Sequence, residues 1–258
     1  MGGGGTNPVD VGVTAVIGGA TRRLINPTRS TGAEGAANVF DFYIRHLDGA
    51  SSVIDVDTAR GRIAVVEAVR VTAIVDPTLT FTIDNTGVGQ GASVCGNTLG
   101  SNASATTATT VSYGSVSLGA FNDLAQRLSC VTNSTGGYVV TVYEQASMAN
   151  ISTGTTITDT NCDGACSTAT AAPWTTDNAN SEWGYSIQNI NVGTTIFHYT
   201  QGYKPFGIGS ANAREIMKNT TTPTASEQAY ICYRLTASTS QEAGKYENKL
   251  VFTATATF

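Results

Sequence analysis

Pro8-Val9-Asp10-Val11-Gly12-Val13-Thr14-Ala15-Val16-Ile17-Gly18-Gly19 is the stretch on which the reading of this chain turns. Val9, Val11, Val13, Ala15 and Ile17 share one face, and Asp10, Gly12, Thr14 and Val16 share the other. A period of two marks a strand with one buried face. The leader Gly2 to Gly5 is a flexible tether by composition. A long apolar strand at the start of a chain either closes its own sheet or adds to the sheet of a neighbouring molecule. The first outcome gives a monomeric domain and the second a self-assembling filament.

The rest of the composition agrees with β-structure. The chain has 258 residues, enough for one large β domain or two modest ones. The expected division is an N-terminal donor strand over 1–19 and a β-sandwich domain over 20–258, with a subdivision near 100–109 as an alternative. Charged residues make up 13%, about half the usual share. Thr occurs 40 times and Gly 28 times, whereas Lys is confined to Lys204, Lys218, Lys245 and Lys249. This mixture favours pleated, half-buried surfaces and glycine-punctuated turns. The net charge is −5 and the ten Arg residues form no basic patch, which argues against a nucleic-acid partner. No run approaches the ~18 apolar residues of a membrane span. No charged n-region precedes an apolar h-region, so a secreted protein with this sequence is numbered from at or near its mature end.

Patterning along the chain predicts ten to twelve strands and one short helix, hence a β-sandwich or jelly roll. Strands are expected at Asn38 to His46, Ser51 to Asp57, Arg62 to Val75, Thr78 to Asp84 and Thr110 to Leu118. Leu128 to Asn133 and Tyr138 to Gln145 read as a hairpin turning at Gly136-Gly137. Trp183 to Ile190, Thr194 to Thr200, Glu227 to Ala237 and Tyr246 to Phe258 complete the set, and Ala211 to Asn219 is the helix candidate. In the last strand Leu250, Phe252, Ala254, Ala256 and Phe258 alternate with Val251, Thr253, Thr255 and Thr257.

Five cysteines suggest an oxidising environment. Cys162 and Cys166 flank an Asp163-Gly164 turn and should close a small disulfide ring. Among Cys95, Cys130 and Cys232, the expected arrangement is a Cys95–Cys130 bridge with one buried free thiol. Asn102, Asn133, Asn150 and Asn219 stand in Asn-x-Ser/Thr acceptor sequences. Asp159, Asn161 and Asp163 place oxygen ligands at positions 1, 3 and 5 of a calcium-like loop with Gly164 at position 6. Position 12 is Thr170 rather than a carboxylate, so a disulfide-braced turn is the better reading and no other cofactor is indicated. His46 and His198 are the only histidines, no Gly-x-Ser-x-Gly elbow occurs, and no cysteine lies in a nucleophile motif. The chain is therefore read as not an enzyme. Trp174, Trp183, Tyr185, Tyr199 and Tyr203 could stack sugars, but core or interface roles suit them better.

From about Thr107 to Phe258 the chain resembles a family of uncharacterised secreted β-rich proteins of candidate-phylum bacteria. The likeness rests on Val111-Ser112-Tyr113-Gly114, on Thr132 through Val142, on Cys162 through Cys166 followed by Trp174, and on Ala243-Gly244 leading to Phe252 through Phe258. It covers a little over half the chain, implies a cell-surface location and supplies no catalytic residues. By architecture alone, a secreted β domain with a free N-terminal strand also looks like the TasA or camelysin type of donor-strand filament subunit.

The expected function is a structural subunit of an extracellular filament, its partner being the next copy of itself. Val9, Val11, Val13, Ala15 and Ile17 of one copy would complete the sheet of the next, head to tail. The alternatives are a surface adhesin or carbohydrate-binding module using the aromatic set, and an S-layer or capsid-type shell protein.

Overall fold

The computed structural model describes residues 27–28, 35–47, 53–66, 71–176 and 180–258. The donor-strand residues Val9, Val11, Val13, Ala15 and Ile17 lie outside the described residues. The chain divides into two compact units, Met1–Ile74 and Val75–Phe258, and positions 100–109 fall inside the second.

In the first unit β1 (Asn38–Leu47) and β2 (Val53–Val65) form an antiparallel ribbon. Ser51 to Asp57 and Arg62 to Val75 read as two strands, yet β2 runs unbroken through Gly61. Phe42 stands opposite Gly61, and a Cβ there would collide with the Phe42 ring, so the missing side chain makes room for that ring. The register places Phe40 beside Ile63 and Ile44 beside Ala59 on one face, and Asp41 beside Arg62 and Tyr43 beside Arg60 on the other. The polar face is tied together: Asp41 accepts from Arg60 Nη2 at 2.9 Å and from Arg62 Nε at 2.6 Å. The apolar face is open, with Ile44 58% and Phe42 44% exposed. A two-stranded ribbon with one bare apolar face is marginally stable by itself.

The second unit is an all-β sandwich. Its strands are β3 (Leu79–Asn85), β4 (Ser93–Val94), β5 (Asn97–Thr98), β6 (Asn122–Thr132), β7 (Tyr138–Glu144), β8 (Met148–Asn150) and β9 (Thr156–Asp159). They continue with β10 (Glu182–Asn189), β11 (Arg214–Asn219), β12 (Glu227–Thr236), β13 (Tyr246–Glu247) and β14 (Leu250–Ala256). A seven-stranded sheet runs β13-β8-β9-β10-β12-β6-β3, and a three-stranded sheet runs β11-β7-β14. Tyr138, Val140 and Val142 alternate inward from β7 and meet Leu128, Tyr185, Ile187, Ile231 and Tyr233 of the large sheet in one core. Phe206 stacks on Tyr185, ring centres 4.3 Å apart, inside that core.

Several sequence expectations change. The segments around Gly136-Gly137 are not a hairpin: β6 pairs with β12 and β3, while β7 pairs with β11 and β14. The loop between β6 and β7 carries the chain from one sheet to the other, and Gly137 takes φ +72° where it crosses β11. The short helix at Ala211 to Asn219 is also overturned. That segment is a three-residue 3-10 turn, Ser210–Asn212, followed by β11, and the described residues contain only 3-10 turns of this length. A register shift between Glu215 and Met217 buries both Ile216 and Met217, and two adjacent apolar residues imitate helical spacing. Thr194 to Thr200 makes one isolated bridge and a 3-10 turn instead of a strand.

The small disulfide ring, Cys162–Cys166, is present. The second bridge is Cys95–Cys232, and Cys130, expected to pair with Cys95, is the buried free thiol. Strand alternation explains the exchange. Cys130 pairs in register with Glu227 and faces the inter-sheet core, whereas Cys232 pairs with Ala125 on the opposite face of the same sheet. The stretch carrying Val94, Cys95, Leu99 and Ala103 packs on that outer face, so only Cys232 is within reach.

Candidate functional site

Among the described residues β3 ends the large sheet and β14 ends the small one, and each is paired there with one neighbouring strand. Phe81 and Ile83 project inward from β3, and Leu250, Phe252, Ala254 and Ala256 project inward from β14. All six are half-buried, in contrast to the fully buried inward residues of β7. Phe81 and Phe252 face each other across the gap with ring centres 6.5 Å apart. Between and beside these edges lies a groove of about 1210 Å³, walled also by Val111, Tyr113 and Trp183. That exceeds the ~300–1,000 Å³ of ordinary small-molecule sites.

A strand was expected at Thr110 to Leu118, but among the described residues this segment pairs with no strand and is broken by the left-handed Gly114, φ +62°. Val111, Tyr113 and Val116 pack against the core while the residues between them are exposed. Among the described residues, no main-chain N–H from Thr110 to Val116 donates to another main-chain group. Its anchors are side chains: Asn102 Nδ2 donates to the Tyr113 carbonyl, and Gln126 Nε2 donates to the Thr107 carbonyl at 2.6 Å.

Two neighbouring carboxyl groups, one buried and one half-buried, stand at the ends of β7 and β9. Glu144, at the end of β7, is fully buried, and its Oε2 accepts from Asn248 Nδ2 at 2.5 Å. Burial, reinforced by the neighbouring Asp159 carboxyl, pushes Glu144 up to about 8. Burial also raises Asp159, and the neighbouring Glu144 and Trp183 act in the opposite direction. Both carboxyls are thus shifted toward the protonated form. On the polar side of the core, Glu227 accepts from Tyr138 Oη at 2.5 Å, from Gly193 N at 3.0 Å and from Asn219 Nδ2 at 2.6 Å.

The calcium-like loop is spent on structure. Asp159 joins Glu144, the Asn161 side chain accepts from Gly164 N at 3.1 Å, and Asp163 accepts from Thr175 N at 3.0 Å and from Thr176. Among the described residues no group of three or more His, Cys, Asp or Glu side chains is placed to hold a metal ion. Of the acceptor asparagines, Asn150 and Asn219 are buried, Asn133 spends both amide atoms on Thr78 and Asp76, and Asn102 holds Tyr113. Trp174, Trp183, Tyr185 and Tyr203 are buried and Tyr199 is half-buried, so the five rings form no exposed row. Trp174 meets Phe121 and Tyr203 edge-on around Arg234, which is held by Asp123 at 2.8 Å.

Among the described residues no helix is long and apolar enough to cross a membrane. No protein-family model matches the chain, and no curated protein matches its sequence.

Proposed function

We propose that the protein is a structural subunit of an extracellular filament assembled by β-strand addition, residues 9–17 of one copy entering the groove of the next. The observation that supports this reading is the largely apolar groove beside β3 and β14, the last strands of their sheets among the described residues. The seven residues of β14 span roughly 24 Å at ~3.4 Å each, and the nine from Val9 to Ile17 roughly 30 Å. A strand of that length covers the whole free edge of β14. In an antiparallel ladder about half of an edge strand's N–H and C=O groups point away from its partner, ready for an incoming chain.

Val9, Val11, Val13, Ala15 and Ile17 would lie over the half-buried Phe81, Ile83 and Phe252 and complete the core. At ~1–2 kcal/mol per side chain they contribute on the order of 5–10 kcal/mol per junction before ordering costs. Donor and acceptor are different surfaces, so the contact is heterologous and propagates as an open fibre. The bare apolar face of the β1–β2 ribbon also supports assembly, because contiguous exposed apolar surface marks an interaction site. The two disulfides fit an oxidising exterior.

Electron microscopy of the full chain beside a version lacking residues 1–19 tests the proposal. Fibres from the full chain and dispersed subunits from the truncated one are expected. A synthetic peptide of residues 8–19 should raise the melting temperature of the truncated subunit. Dispersed particles from both would refute strand addition, and flat sheets or closed shells would favour the shell protein.

A further inference from the structure

Lys204 and Arg214 are two cations on the facing inner sides of the sandwich, Arg214 standing in register with the inward Val142, and among the described residues neither has an anionic partner. Lys204 pairs directly with Tyr185 through reciprocal main-chain hydrogen bonds of 2.9 Å, so both side chains leave the sheet on the inner face. The Lys204 Nζ lies 4.3 Å from the centre of the Phe197 ring, and Tyr185 meets that ring edge-on at 5.6 Å. Lys204 is only 9% exposed, and among the described residues it makes neither a side-chain hydrogen bond nor an ion pair. Arg214 opens β11 in the facing sheet. Its Nη2 donates to Thr168 Oγ1 at 2.8 Å, and its Nε is buried with no acceptor. The Tyr185 hydroxyl, on a fully buried residue, also has no partner. The Arg214 charge reaches both neighbours: it favours the ionised Tyr185 hydroxyl against burial, and it adds to burial in lowering Lys204.

We propose that Lys204, Arg214 and the Tyr185 hydroxyl form a binding site for a small oxyanion, independent of the strand-accepting groove. An ammonium, a planar guanidinium and a hydroxyl are directional donors suited to several oxygen atoms on one centre. An oxyanion there gives each uncommitted donor an acceptor and offsets the repulsion between the two cations. The Phe197 ring accounts for one side of the Lys204 ammonium and leaves its other protons available.

The test is thermal unfolding of the full chain against sulfate and, separately, acetate, each compared with chloride at equal ionic strength. A saturable rise in melting temperature is expected, in sulfate for a tetrahedral anion or in acetate for a carboxylate. Lys204→Met should weaken the apparent affinity about tenfold or more, and Tyr185→Phe about five-fold for one lost hydrogen bond. Lys204→Met keeps the apolar stem and removes an uncompensated charge, so in chloride it should melt no lower than the parent. A Lys204 that serves only to pack on Phe197 predicts the reverse, with no anion response in any of the proteins. No saturable response to either anion, or one of equal affinity in all three folded proteins, overturns the site.

Discussion

Removing the Cys95–Cys232 bridge should cost far more stability than removing Cys162–Cys166, although both pairs are largely buried. The first joins residues 137 apart in sequence and the second residues four apart. A cross-link restrains the unfolded chain by an entropy that grows with the logarithm of the loop it closes. That relation gives about 5 kcal/mol for the long loop and about 2 kcal/mol for the short one at 25 °C. Loss of sulfur packing adds a similar small amount to each, because Cys95 and Cys232 are each 3% exposed and Cys162 is fully buried. The assay is equilibrium urea unfolding of two double variants, Cys95→Ala with Cys232→Ala and Cys162→Ala with Cys166→Ala. With a slope of about 2 kcal/mol per molar urea, the midpoint should fall by roughly 2.5 M in the first and roughly 1 M in the second. Equal drops, or a larger one for the small ring, would refute the argument. They would mean that the covering stretch around Val94 and Leu99 is fixed to the outer face of the large sheet without help from the bridge.

Stability should fall as pH rises from Glu144's unfolded value of about 4.3 through its folded value of about 8, because the native state holds a proton that the unfolded chain releases. The slope is at most about 1.4 kcal/mol per pH unit, and Glu144→Gln, whose amide can donate to Asp159 in place of that proton, should flatten it in melting curves between pH 4 and 9. Burial, with a smaller push from the Glu227 charge, raises the Cys130 thiol to about 12, so a thiol reagent at pH 8 should find no reactive thiol in the native protein and one in denaturant. Gly137→Ala should lower the melting point sharply: the left-handed φ of +72° alone costs about 1–3 kcal/mol in a residue with a side chain, and the new Cβ would strike the Asn219 carbonyl. An unchanged melting point would mean that the crossing of β7 and β11 yields at little cost.

Local pattern carried the strands whose two faces differ. Tyr138 to Glu144 alternates buried and half-buried residues without a break, and its β-branched and aromatic run Tyr-Val-Val-Thr-Val-Tyr marks it as a strand in the sequence, although the buried Glu144 does not follow the apolar pattern. Cys162–Cys166 was legible because a turn brings the two residues together with no help from the rest of the fold. Partnership was not legible. β6, the loop through Gly136-Gly137 and β7 read as a hairpin because two strands and a glycine turn look the same whether the chain folds back or crosses to a second sheet. The long disulfide depended on parity along β12: Ile231 and Tyr233 face inward and Cys232 outward, which is fixed only once the register is known. The groove was hidden for a related reason. Phe252 and Phe81 read as ordinary core residues, and their partial exposure follows from their strands being last in each sheet.

The chemistry of the four sheet edges separates a docking groove from a sheet that merely stops. Proteins protect free edges with charges, prolines, bulges or very short strands. In the small sheet β11 is protected in two ways, by the register shift at Glu215/Met217 and by Arg214, Glu215 and Lys218. In the large sheet β13 is only two residues long and carries Glu247, which pairs with Lys245. β13 and its flanking Lys245 also line the groove, whereas β3 and β14 largely lack these devices. β14, Leu-Val-Phe-Thr-Ala-Thr-Ala, has no charge, no proline and an unbroken seven-residue register with β7. β3 has a single charge, Asp84, near its end. Among the described residues, the strands that hold Phe81 and Phe252 are therefore the two sheet edges with the least protection. Edges of this kind beside an apolar groove suit the strand addition proposed above, for which the alternating sequence Val9 to Ile17 is the candidate donor.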